Sequence, residues 1–334
     1  MRALILTLLL LLALAGTSSA VLIASNDPND AAPPDDPGWN HVGTRTGTTN
    51  SGAPANGLTL IYLGNGWVLT AHHVGEADLL LGGETWPRVQ NSGVRFTNPD
   101  GSPADLMAYQ ITANPSLPNL PLLEIRANPI AVGDDVTLIG RGRNRGAATT
   151  WLQPPLREGW LWGQGASMRW GTNRVESLLD ESVVGTRAFA SDFTKPGEPD
   201  FTTHEAHAVV GDSGGAAFAK NGSDWELAGV LFGTFQHTGQ DPQSSLDGNL
   251  HFAADLSYFR SQIIATVRPE CSDEIDNDGD SLTDFPADPD CDSAEDDEEL
   301  EVALLPIGGP ALASLVAVLL VGGSWPLLRW QRRR

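Results

Sequence analysis

Ser213 sits in Val209-Val210-Gly211-Asp212-Ser213-Gly214-Gly215-Ala216-Ala217-Phe218, a glycine-rich turn between two apolar runs. Glycines on both sides let the backbone bend sharply and bring N–H groups close to a substrate. An attacked carbonyl needs that geometry, because donors must point at the oxygen where negative charge develops. Ser213 is therefore a candidate nucleophile, with the N–H groups of Gly211 and Ser213 as the oxyanion hole. A serine hydroxyl is a weak nucleophile and needs a base. Two histidines, His72 and His73, follow the apolar run Gly66-Trp67-Val68-Leu69-Thr70-Ala71. On an extended strand end they point to opposite sides, so only one of them can face Ser213. An acid that orients the imidazole completes the set. Asp105 opens the apolar run to Ile111, which suits a carboxylate held beside the ring. Asp78, only five residues after His73, reads as a loop acid. Asp100 reads as part of the turn Asn98-Pro99-Asp100-Gly101.

The local motifs are Thr-Ala-x-His-Val ending at Val74, Asp-Leu-x-Ala starting at Asp105, and Gly-Asp-Ser-Gly-Gly around Ser213. Together, in this order, they resemble the chymotrypsin-like (trypsin-fold) serine peptidases. The resemblance spans about residues 39–267 and aligns His73, not His72, with the base. It implies an all-β fold of two six-stranded antiparallel barrels with a closing C-terminal helix. It also implies a catalytic triad of His73, Asp105 and Ser213, no cofactor for catalysis, and a protein or peptide substrate. Val74 stands where many animal members carry a cysteine. The residue six before the nucleophile, at the base of the primary pocket, is His207 rather than an acid that would select Arg or Lys. Phe232, in Trp225–Gly233, falls on the strand that lines the cleft. Family members often pair a freed N-terminal amine with the Asp before the nucleophile. The nearest match to their mature start, His41-Val42-Gly43-Thr44, follows no basic residue. The expectation is that Asp212 lacks an amine partner and that activation by clipping does not operate.

These side chains need strands to position them. Leu58–Leu63, Trp67–Leu69 and Leu106–Ile111 are strand-like, and Val132–Gly142 resembles the strand opening the second barrel. Trp151, Trp160, Trp162 and Trp170 read as strand and loop packing, with a carbohydrate platform as the weaker reading. The apolar periodicity from Phe252 to Val267 predicts a helix.

Outside this domain the 334-residue chain carries appendages. Met1–Ala20 has a short charged start, an apolar core and small residues at its end, as a secretory signal peptide does; an uncleaved anchor is the alternative. Residues 21–38 read as a disordered lead-in and residues 39–268 as the peptidase-like domain. The formal charge is −22, but much of the acid lies between Asp273 and Glu301. The globular part is only mildly acidic, which argues against a nucleic-acid partner.

Residues 270–292 form a module bracketed by the chain's only cysteines, Cys271 and Cys291, which are expected to pair. Its alternating carboxylates, Asp276, Asp278, Asp280 and Asp284, suit a hard cation such as calcium; an ion-free acidic spacer is the alternative. Gly279 is out of place for an EF-hand, and the module resembles the short Asp-rich modules of bacterial surface proteins. An acidic linker, 293–301, leads to 302–328, which holds no charged residue and is long enough for a transmembrane helix. The basic tail 329–334 marks its cytoplasmic side. The expected location is outside the cytoplasm, anchored to the membrane by this one helix.

Two other functions compete. Gly211–Gly215 also satisfies Gly-x-Ser-x-Gly, and Asp247 and His251 follow in the order an α/β-hydrolase needs. Too little chain follows Ser213 for its further βα units. The second rival is a catalytically silent surface binding or adhesion protein on a peptidase fold, with calcium at its acidic module.

Overall fold

The computed structural model describes residues 21–25, 27–47, 58–152, 154–164, 167–296 and 298–299. The signal peptide (1–20), the transmembrane segment (302–328) and the basic tail (329–334) lie outside the described residues. No helix among the described residues is long and apolar enough to cross a membrane. The chain divides into two units, Met1–Arg268 and Pro269–Arg334.

The first unit is mostly β. It begins with β1 (Leu22–Ile23), followed by β2 (Val42–Thr46), β3 (Thr59–Gly64), β4 (Trp67–Thr70), β5 (Asp78–Leu81), β6 (Glu84–Trp86), β7 (Val94–Thr97) and β8 (Pro103–Gln110). Then come β9 (Asp135–Gly140), β10 (Arg145–Trp151), β11 (Arg157–Trp162), β12 (Arg169–Arg174) and β13 (Ser177–Leu179). A short α1 (Glu181–Val184) precedes β14 (Ala188–Asp192), β15 (Ala206–His207), β16 (Ala216–Asn221), β17 (Asp224–Phe235), β18 (Ser244–Leu246), β19 (Leu250–Asp255) and α2 (Arg260–Val267). Two seven-stranded antiparallel sheets result, ordered β6-β5-β2-β3-β4-β8-β7 and β12-β9-β16-β17-β19-β14-β13.

The period-two alternation of strand side chains sorts this sequence into separate cores. On β3, β4 and β8, residues Leu60, Tyr62, Val68, Met107 and Tyr109 pack inside the first sheet. Their neighbours Ile61, Leu63, Leu69, Leu106 and Ala108 join Ile139, Phe218 and Val230 of the second sheet and Ile263 and Val267 of α2. A third core, with Leu138, Phe189, Ala217 and Leu231, lies within the second sheet.

Closed six-stranded barrels are not found; each sheet has seven strands in open order. In the first sheet the segment after β6 meets the end of β8, not the edge strand β7, at an isolated Arg88↔Ile111 bridge. Pro87 has no N–H to continue the β6 ladder, although its carbonyl accepts from Thr112 N–H at 2.8 Å. The helix expected from Phe252 is also shorter. Residues 250–255 pair with β14 and β17 as a strand, and the Asp255 side chain then caps a 3₁₀ turn by accepting Ser257 N–H.

The stretch 21–38, expected as a disordered lead-in, is bonded to β15 and to the second sheet. Leu22 and Ile23 are buried and pair with His207 and Ala206. Asn29 exchanges hydrogen bonds with the Trp170 backbone, and Asp35 pairs with Lys220 at 2.6 Å. Its acidic and proline-rich composition hid the apolar Val21-Leu22-Ile23 that anchors it.

Candidate active site

β4 ends at Thr70, and the chain then turns tightly. Val74 N–H donates to Ala71 O at 3.0 Å and Gly75 N–H to His72 O at 3.1 Å. Ala71 and Val74 are buried, while His73 at the apex is exposed. β8 runs antiparallel beside β4, with Thr70 opposite Met107, so Asp105 lies two residues beyond and reaches the turn.

Asp105 grips His73 twice. Its Oδ1 accepts the His73 backbone N–H at 2.8 Å and its Oδ2 meets the ring Nδ1 at 2.7 Å. Burial raises the Asp105 carboxyl, but the ring and backbone hydrogen bonds of His73 outweigh it, so it lies below the usual aspartate value. An ionised carboxylate only accepts, so Nδ1 carries the proton and Nε2 is left as the base. The Asp105 N–H donates to Thr186 Oγ1 at 2.8 Å, tying the acid to the segment that leads into β14 of the second sheet. His72 makes no such pairing; burial and the Arg95 charge hold its pKa down.

The rival acids are committed elsewhere. Asp78 pairs with Arg88 at 3.1 Å, and Asp100 accepts the N–H and hydroxyl of Ser102. Asp247 pairs with Arg157 and Lys195, and His251 is fully buried against His207, so the α/β-hydrolase assignment of these two residues finds no support.

The Ser213 turn is fastened to the same strands. Thr59 N–H donates to Ser213 O at 3.0 Å, and Thr59 Oγ1 donates to Gly211 O at 3.3 Å. Thr70 Oγ1, three residues before His73, donates to Thr59 O at 3.1 Å. Gly214 has φ +83°, and a Cβ there would overlap the Thr59 carbonyl and Thr70 Oγ1. The serine turn thus lies directly against the end of the histidine strand. Gly214 N–H donates to Leu231 O and Gly215 N–H to Asp212 O, whereas the N–H groups of Gly211 and Ser213 have no acceptor among the described residues. Such free donors are what an oxyanion hole requires. Thr59 has no signature in the sequence; only the meeting of the two sheets reveals it.

Asp212 corrects an expectation. It is fully buried, and its carboxylate accepts N–H groups from Gly142 at 2.6 Å, from Val209 at 2.8 Å and from Val21. A Cβ at Gly140 or Gly142 would overlap it. Burial pushes its carboxyl up to about 7 against the pull of those donors. Asp212 was expected to lack an amine partner, because His41-Val42-Gly43-Thr44 follows no basic residue; Val42–Thr46 is strand β2, and the chain that reaches Asp212 is Val21.

His207 lies on β15, fully buried beside Phe193 and His251, with Nδ1 3.1 Å from Ser245 Oγ. Burial depresses its pKa to about 4 and holds that of His251 well below the usual value, so both are neutral at pH 7. Both His251 ring nitrogens lack a hydrogen-bond partner among the described residues. Phe232, half-buried on β17, lies 6.1 Å from the Phe252 ring. The tryptophans read as packing residues make ring or hydrogen-bond contacts: Trp160 with Phe193, Trp170 with His204, and Trp162 Nε1 with Ser245 Oγ.

In the second unit Cys271 and Cys291 are joined by a disulfide. Carboxylate oxygens of Asp276, Asp278 and Asp280 come within 4.8 Å of one another, as one cation requires. Asp284 is not part of that group; its Oδ2 accepts Glu274 N–H at 2.9 Å.

No protein-family profile and no curated protein matches the chain. Among solved structures, the active form of the Rv3671c protease from M. tuberculosis is 16% identical. That match covers 73% of this chain and 92% of that one, with a TM-score of 0.41. The inactive form gives 16% identity, coverage of 69% and 89%, and a TM-score of 0.40. Neuropsin, a serine protease of mouse brain, gives 14% identity, coverage of 71% and 97%, and a TM-score of 0.44.

Proposed function

We propose that the first unit is a serine endopeptidase acting through His73, Asp105 and Ser213. The observation that carries this reading is the double grip of Asp105 on His73, on the strand end against which the Ser213 turn is fastened. His73 Nε2 would take the Ser213 proton as the hydroxyl attacks the scissile carbonyl, then deliver it to the leaving amine. The oxyanion would be met by the N–H groups of Gly211 and Ser213. Water, activated by His73 in the same way, would hydrolyse the acyl-enzyme. His207 and Phe232 are proposed to line the primary pocket. With both buried histidines neutral, its floor offers no negative charge to select Lys or Arg.

We further propose export by the leader at 1–20 and tethering by 302–328. Cleavage after Ala20 would free the Val21 amine at Asp212, with which no cationic side chain pairs among the described residues. A buried carboxylate gains most from such a partner. The acidic module is proposed to take calcium through Asp276, Asp278 and Asp280.

One observation favours the silent binding protein: Ser213 Oγ makes no hydrogen bond among the described residues. Catalytic hydrogen bonds often tighten only once substrate is bound. A fluorophosphonate probe separates the two readings. Labelling that S213A abolishes supports the peptidase; a wild-type chain that neither labels nor cleaves a peptide library overturns it.

A further inference from the structure

From Pro269 to Glu301 the sequence has 16 Asp and Glu residues and no Lys, Arg or His, so the module holds no cation of its own. Several of its carboxylates are engaged by backbone N–H groups. Asp276 accepts from Gly279 and Ser281, and Asp280 Oδ1 from Leu282. Glu299, fully buried, accepts from Asn277 and Asp284.

Asp288 differs from these. It is 1% exposed, and only its Oδ1 is engaged, by Asp290 N–H at 2.8 Å. Its Oδ2 is shut off from solvent with no hydrogen-bond partner among the described residues. A carboxylate oxygen taken out of water without a hydrogen bond is costly unless a positive group compensates it. Carboxylate oxygens of Asp280, Asp288 and Asp290 also lie within 4.8 Å of one another. Oxygens held by a calcium ion at about 2.3–2.6 Å are separated by at most twice that length, about 5 Å.

We propose that Asp280, Asp288 and Asp290 form a binding site for a divalent cation of the calcium type. It is distinct from the group Asp276, Asp278 and Asp280, with which it shares only Asp280. The cation would join the Asp-rich turn to the limb that ends at Cys291. Three separate carboxylates suit calcium better than magnesium, which demands a tighter octahedron. This site does not depend on the peptidase reading.

The test is calcium binding by the full chain, stripped with chelator and titrated with calcium chloride by calorimetry and by equilibrium dialysis with radioactive calcium. D288N and D290N should each bind one calcium fewer than wild type, or bind it at least tenfold more weakly, while D276N retains that ion. Magnesium at the same concentration should not replace it. Thiol titration reports whether Cys271 and Cys291 have paired. If D288N fails to oxidise, D290N decides, since Asp290 is only partly buried. Wild-type stoichiometry and affinity in both variants would overturn the site, as would a wild-type chain that binds no calcium at millimolar concentration. Loss in D276N alone would leave the first group standing and remove this one. Equal affinity for magnesium would overturn the calcium-type assignment.

Discussion

Val21 donates its backbone N–H to the carboxylate of Asp212, the residue immediately before Ser213. Residue 21 is also the first residue after the expected leader cleavage site. The relationship joins the residue after the expected cleavage site to the turn that carries Ser213.

It predicts a pH signature. The Asp212 carboxyl is raised from 3.8 to about 7 when Val21 is an ordinary amide. A raised carboxyl contributes stability that is complete below about pH 4 and lost as the pH climbs through 7. A chain with residues retained before Val21 should therefore lose on the order of a few kcal/mol between pH 4 and 8. A chain beginning at Val21, with its ammonium beside Asp212, should show little of that loss up to the amine's own titration. Urea unfolding of both forms across this range checks it; identical slopes would sink the idea.

Asp105 fixes both the tautomer and the place of His73. Replacing it with Asn should lower kcat by about 10³–10⁴, because the ring can then present the wrong nitrogen to Ser213. H73A should lose as much. H72A should stay within a few-fold of wild type, since His72 takes no part in the pairing. Peptide hydrolysis of the three variants settles which histidine is the base.

Gly214 should tolerate nothing larger. G214A places a methyl group into Thr59 O and Thr70 Oγ1 at a positive φ. The expected result is a loss of more than about 3 kcal/mol, or no folded protein. G222A, at φ +63° with open space around it, should cost only about 1 kcal/mol. Thermal melts of the pair separate steric overlap from backbone strain.

The disulfide belongs to the second unit. Exchanging Cys271 and Cys291 for serine opens a loop with a sequence separation of 20. The module should lose about 3 kcal/mol on the chain-entropy account and become open to proteolysis. Peptide cleavage by the first unit should persist. Limited proteolysis and an activity assay on the same sample test both halves of the expectation.

The sequence alone determined the chemistry on offer. Ser213 among glycines, His73 at a strand end and Asp105 at the head of an apolar run could be singled out because the chemistry proposed for them demands local contexts: a sharp turn, a buried strand and a shielded acid. The all-β class came with the family resemblance that those motifs carry, and the described residues are mostly β. Tertiary structure decided what depends on pairing across distance. Whether β19 was a strand or part of a helix rested on its partners β14 and β17, not on its own apolar spacing. Thr59 became a link in the site only where the two sheets meet. Val21 found Asp212 because a buried carboxylate needs donors from whatever chain passes it, and nothing in the residues around Ser213 says which chain that is.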